Sequence, residues 1–150
     1  MAENRGKDFE DIIRGAFSSV PNTTVTRLPD PVMGYLGYRN ICDFIIYNYP
    51  NQFFIECKTI HGNRFPFSNI TDNQYKGLLG VSNIFGVIAG VLVWYVDKDV
   101  TKWIPIECVQ ERKALGDKSM PYDKNYGTLH SGIRTFDLTG KKKRVFWQYD

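Results

Sequence analysis

Two acids and an amine, Asp43, Glu56 and Lys58, stand out in an otherwise largely uncharged stretch. They lie in ICDFIIYNYPNQFFIECK, from Ile41 to Lys58, where two alternating runs flank the turn-prone Asn48-Tyr49-Pro50-Asn51. Pairing Tyr47 with Gln52 across that turn puts Asp43 opposite Glu56, and opposed residues share a face of the sheet. Lys58, two residues further on, points the same way. Cross-strand Cβ atoms lie about 4.5 to 5.5 Å apart, close enough for two carboxylates to share one Mg²⁺ at about 2.0 to 2.1 Å. Without a cation or a proton between them, two such charges would destabilise each other, and one lysine could answer only one of them. A divalent ion beside an ammonium group suits phosphodiester hydrolysis: the ion activates water and takes up phosphate charge, and the lysine positions the water or stabilises the crowded phosphorus centre. The bland alternative is an exposed Glu56–Lys58 ion pair contributing less than about 1 kcal/mol.

The opposite face of the same hairpin carries Phe44, Ile46, Phe53, Ile55 and Cys57, an apolar surface suited to a core. Phe9, Ile12, Ile13, Ala16 and Phe17 recur at helical spacing, which predicts an amphipathic helix over 7–18, ended by Pro21-Asn22. Glu10, at the edge of its apolar stripe, either faces the acids or pairs with Arg14 one turn on. Thr23 to Leu28 forms a short strand, and the Pro- and Gly-rich loop from Pro29 to Tyr38, flanked by Arg27 and Arg39, stays irregular. His61 is a loop residue, with no second His or Cys at ligand spacing. Thr71-Asp72-Asn73-Gln74 has the spacing of a capping box before a helix from Tyr75 to about Val81, which gives Gln74 a complete structural role.

Phe85 to Val96 is a central strand covered on both faces, Thr101 to Ile106 its returning partner, and Glu107 to Ala114 a short helix ended by Gly116. Val145 to Tyr149 alternates like an edge strand, after the basic run Lys141 to Arg144. The expected class is therefore α/β (α+β), a central mixed sheet flanked by helices, in one domain spanning 1–150. Net charge +3 permits a polyanionic partner without demanding one. Three cysteines, an odd number matching no zinc or disulfide pattern, indicate reduced thiols and a cytoplasmic protein. No apolar run is long enough to span a bilayer, and the charged start is unlike a signal peptide.

The order helix with Glu10, strand with Asp43, strand with Glu56-Cys57-Lys58, then helix opened by Gln74 resembles the PD-(D/E)XK nuclease superfamily with its restriction-endonuclease-like fold. Asn4-Arg5-Gly6, Asp43-Phe44, Phe54 to Lys58, Phe65 to Ile70, Gln74, Gly86 to Ala89 and Lys118 to Tyr122 together resemble the RecU-type Holliday junction resolvases of low-GC Gram-positive bacteria and their phages. The resemblance implies a homodimeric, Mg²⁺-dependent endonuclease, with Mn²⁺ able to substitute, that cuts four-way DNA junctions in recombination and repair. By position, Asp43, Glu56 and Gln74 would be metal-site residues, Lys58 the transition-state stabiliser and Glu10 the helical acid near the metal. DNA phosphate contacts would fall to Arg5, Lys7, Arg27, Arg39, Arg64 and Lys76. The chain departs from the family at Ile41, where a threonine lines the metal site, leaving only a backbone carbonyl to serve. The family's protruding stalk is also cut down to Pro29–Tyr38, which suggests a compact, phage-type member. Two other readings keep the fold: a restriction or repair endonuclease acting on duplex DNA, and a DNA-binding recombination accessory without turnover.

Overall fold

The computed structural model describes residues 5–29, 40–127, 129–130, 134–137 and 146–149. Helix α1 (Arg5–Ser18) leads into β1 (Thr23–Arg27), followed by β2 (Phe44–Asn48), β3 (Asn51–Ile60), β4 (Arg64–Pro66), α2 (Asp72–Ser82), β5 (Val87–Tyr95), β6 (Val100–Pro105), α3 (Ile106–Ala114), β7 (Ser119–Pro121), β8 (Leu129–His130), β9 (Arg134–Asp137) and β10 (Phe146–Tyr149). The central sheet has the order β1-β2-β3-β5-β6. Only β3 and β5 run parallel, joined by the crossover that contains α2, so the sheet is mixed and flanked by helices, as expected. Two small ribbons, β4-β7 and β10-β9-β8, complete the strands of the described residues.

The β2-β3 hairpin pairs Tyr47 with Gln52 and Phe44 with Ile55, the register that the turn implies. Its alternation sorts side chains between two cores. Phe44, Ile46, Phe53 and Ile55 meet Phe9, Ile13 and Phe17 of α1, together with Leu92, Trp94 and Trp103. Burial of each of these large side chains is worth about 1.5 to 3 kcal/mol, which is why the i, i+4, i+8 stripe of α1 docks here. The opposite core gathers Ala89, Val91, Val93 and Tyr95 of β5 with Leu78 of α2, Ile106 and Val109 of α3, and Phe65. Strand β5 feeds both cores from alternate residues, and Val91 to Tyr95 are all buried.

Several expected boundaries shift. Strand β5 starts at Val87 rather than Phe85, because Gly86 takes a positive φ of 86° and turns the chain, leaving Phe85 fully exposed. Ile106 begins α3 instead of ending β6. Gly116, with φ 92°, follows α3 as predicted. The loop from Asp30 to Arg39, with the expected DNA contact Arg39, and the Lys141–Arg144 run lie outside the described residues. Among those described, no helix is long and apolar enough to cross a membrane.

Candidate active site

Glu56 stands where β3 faces the α2 side of the sheet, in register with Val91 of β5. A carboxylate on that face must be buried, and this one is only 4% exposed. Its Oε2 accepts a hydrogen bond from Gln74 Nε2 at 2.9 Å and an ion pair from Lys58 Nζ at 3.2 Å. Its Oε1 is buried without a hydrogen-bond partner. Burial pushes the Glu56 carboxyl up to about 8. The adjacent Asp43 carboxylate adds to the rise through its charge, and Lys58 opposes it.

Asp43 approaches Glu56, but not as a regular ladder pair. Strand β2 begins only at Phe44; the Asp43 N–H donates to Ile55 O at 3.1 Å, and its own carbonyl accepts from Leu28 N–H at 2.8 Å. The carboxylate itself breaks the ladder, because Oδ2 accepts the Cys57 N–H at 3.0 Å. The expected cross-strand alignment is thus replaced by an aspartate pinned at the open end of the hairpin, touching both sides of the sheet. Glu56 and Lys58 do share one face, and the electrostatic coupling of Asp43 to Glu56 makes the pair of acids one cluster.

Glu10 faces this cluster rather than Arg14. Its Oε1 lies 2.6 Å from Arg27 Nε, and Arg27 Nη2 lies 3.5 Å from Asp43 Oδ1. Arg27 also donates to the carbonyl of Leu28 and covers the Phe44 ring at 5.8 Å. The expected phosphate contact Arg27 is therefore held inside the acidic cluster, because β1 pairs with β2 in the register Arg27↔Phe44 and carries it under α1. Burial raises the pKa of the Cys57 thiol, the charges of Asp43, Glu56 and Glu10 add to the rise, and Arg27 opposes it. Burial likewise pushes Cys42 up to about 12. All three cysteines are free thiols.

Gln74 belongs to the cluster through its amide nitrogen. The α2 capping box is complete: Thr71 Oγ1 accepts from Gln74 N–H at 3.2 Å, and Gln74 Oε1 accepts from Thr71 N–H at 3.0 Å. With its oxygen engaged in the cap, Gln74 orients Glu56 instead of presenting a donor oxygen of its own. Ile41 packs on Gly77 of α2: a Cβ added to that glycine would collide with the Ile41 side chain.

The remaining basic residues lie in different settings. Arg5 stands over the Trp94 ring at 5.9 Å, and exposed Lys7 lines a cleft of about 490 Å³ with Glu10, Asp11, Arg14 and Arg27. Arg64 is tied to Ser119, with Nε to Oγ at 2.7 Å, on the β4-β7 ribbon. Lys76 pairs with Asp72 one turn back at 3.0 Å on an exposed surface. His61, read as a loop residue, has Nδ1 3.0 Å from Asp97 Oδ1 and adds no ligand to the acids.

No protein-family description matches this chain, and no curated protein matches it. Among solved structures the chain is similar to Archaeoglobus fulgidus Hjc, a Holliday junction resolvase from an archaeal hyperthermophile. The sequences are 16% identical, the match covers 68% of this chain and 78% of the other, and the TM-score is 0.49.

Among the described residues no three His, Cys, Asp or Glu side chains gather where they could hold a metal ion. A set of two carboxylates completed by water is nevertheless what Mg²⁺ ordinarily accepts. The buried Oε1 of Glu56, beside the Asp43 carboxylate, suits a hard cation that takes the place of the Glu56 proton.

Proposed function

We propose that this chain is a divalent-metal-dependent endodeoxyribonuclease that resolves four-way DNA junctions, acting as a homodimer on DNA. The observation that supports it most is the joining of Asp43, Glu56 and Lys58 in one cluster, with Glu56 buried and one of its oxygens lacking a hydrogen-bond partner. Asp43 and Glu56 would hold Mg²⁺ or Mn²⁺, which supplies a Lewis acid and an activated water for phosphodiester hydrolysis. Lys58, held against Glu56, would bring an ammonium group to the phosphate on which charge develops. Gln74 fixes the Glu56 rotamer from α2, and the Cys57 N–H fixes Asp43 from β3, so both acids are oriented before any ligand arrives. A junction has two equivalent strands to cut, and a two-fold dimer presents two equivalent sites.

Incubation with Mg²⁺ and labelled four-way, nicked and linear DNA tests this directly. We expect paired cuts in the junction by the natural chain and none by Glu56→Gln. Equal cutting by the variant, or an intact junction with the natural chain, ends the reading; preferential cutting of linear duplex moves it to a restriction or repair enzyme.

A further inference from the structure

Arg27 carries an inference that rests on the metal-nuclease reading and goes beyond it. Asp43 links two ion pairs on opposite faces of the sheet, Glu10 with Arg27 toward α1 and Glu56 with Lys58 toward α2, a set of three carboxylates and two cations. When all are ionised, this set carries a formal charge of minus one, and a divalent ion turns it to plus one. Removing Arg27 would shift both states by one negative charge: more attractive to a cation, less attractive to phosphate once the cation is bound.

The placement of Asp43 does not depend on Arg27. Its backbone bonds to Ile55 and Leu28, and its Oδ2 takes the Cys57 N–H, all from main-chain partners. The Arg27–Asp43 separation of 3.5 Å is longer than the Arg27–Glu10 contact of 2.6 Å, so the guanidinium is anchored by the helix acid and only leans on the metal-site acid. Arg27 also lines the cleft shared with Lys7, Arg14, Glu10 and Asp11, where its loss would leave the cations and acids equal in number.

We propose that Arg27 is the charge-balancing residue of this site, a resident cation that weakens divalent-ion binding and leaves the loaded site positive toward the DNA phosphate. Glu10 is then the residue that holds this cation in place, a positioning role distinct from metal ligation.

Mn²⁺ titration followed by electron paramagnetic resonance of the free ion, on folded full-length chains, tests this apart from activity. Arg27→Gln should bind Mn²⁺ about tenfold more tightly, yet cut junction DNA more slowly at saturating Mn²⁺. Arg27→Lys, which keeps the charge, should keep Mn²⁺ affinity near the natural value. The double variant Glu10→Gln/Arg27→Gln, which removes one charge of each sign and strands neither, should return Mn²⁺ affinity toward that of the natural chain. Weaker or unchanged Mn²⁺ binding by Arg27→Gln, with normal binding by the natural chain, overturns the charge-balancing role alone. Failure of the natural chain itself to bind Mn²⁺ overturns the metal reading and this inference with it.

Discussion

The two faces of the β2-β3 hairpin differ in kind although they share a backbone. Toward α1, Phe44, Ile46, Phe53 and Ile55 are all fully buried among apolar partners. Toward α2, Ile45 and Phe54 are followed on β3 by Glu56 and Lys58, so the same alternation that builds a core delivers a carboxylate into it. One face buries surface that water rejects; the other buries a carboxyl that water would have kept ionised, at an energetic cost that Lys58 and one amide only partly offset. Residues placed against stability in this way are the ones to suspect of function.

Breaking the difference from the charged side should give the largest effect. Glu56→Gln or Asp43→Asn should lower junction cleavage on the order of a thousandfold, measured in single-turnover assays, while leaving folding intact. From the apolar side, Phe53→Ala should destabilise the fold by about 3 to 5 kcal/mol, measured by urea denaturation, while folded molecules still cleave. If the two variants gave the same pattern, the division of labour between the faces would be wrong.

The buried acid also predicts a pH dependence. The folded-state pKa of Glu56, about 8, lies above its unfolded value of 4.5, so its contribution is fully present below the lower value and is lost as pH rises through the upper one. Metal-free protein should therefore lose stability between about pH 5 and 8, by on the order of 1 kcal/mol per pH unit. Glu56→Gln should flatten that slope in thermal melts, and metal binding near neutral pH should release a proton, visible by calorimetry in buffers of different ionisation heat.

Smaller effects sharpen the comparison. Gln74→Ala removes half of the capping box and the Glu56 contact together, and should cost about 1 kcal/mol of stability. Lys76→Ala, which opens an exposed i,i+4 pair with Asp72, should change stability by less than about 0.5 kcal/mol. If Lys76 touches DNA, its loss should flatten the salt dependence of junction binding by about one phosphate.

Much of this was legible in the chain because local rules act strongly where they act at all. A two-residue turn leaves a hairpin one register that buries Phe44 with Ile55, and T-x-x-Q before an apolar run sets the start of α2. Glu10 and Arg27 were less legible, since each has plausible partners nearby and their pairing depends on how α1 lies across β1. The break at Asp43 was invisible to periodicity: alternation assumes that every residue keeps to the ladder, whereas this carboxylate competes for a backbone N–H. Gln74 shows the converse, a residue whose structural and site contacts coexist because one amide has an oxygen for the cap and a nitrogen for the acid.

Gly77 turns a packing detail into a ruler. Because the Ile41 side chain, just ahead of β2, occupies the room that a methyl group on Gly77 would need, α2 is seated closely against that stretch, and the reach of the Gln74 amide to Glu56 is measured from that seat. Alanine at 77 would act as a shim, tilting the helix by its own thickness and opening a gap over the carboxylate while every charged residue stayed in the sequence. Trimming Ile41 to valine alongside it would let the shim sink back.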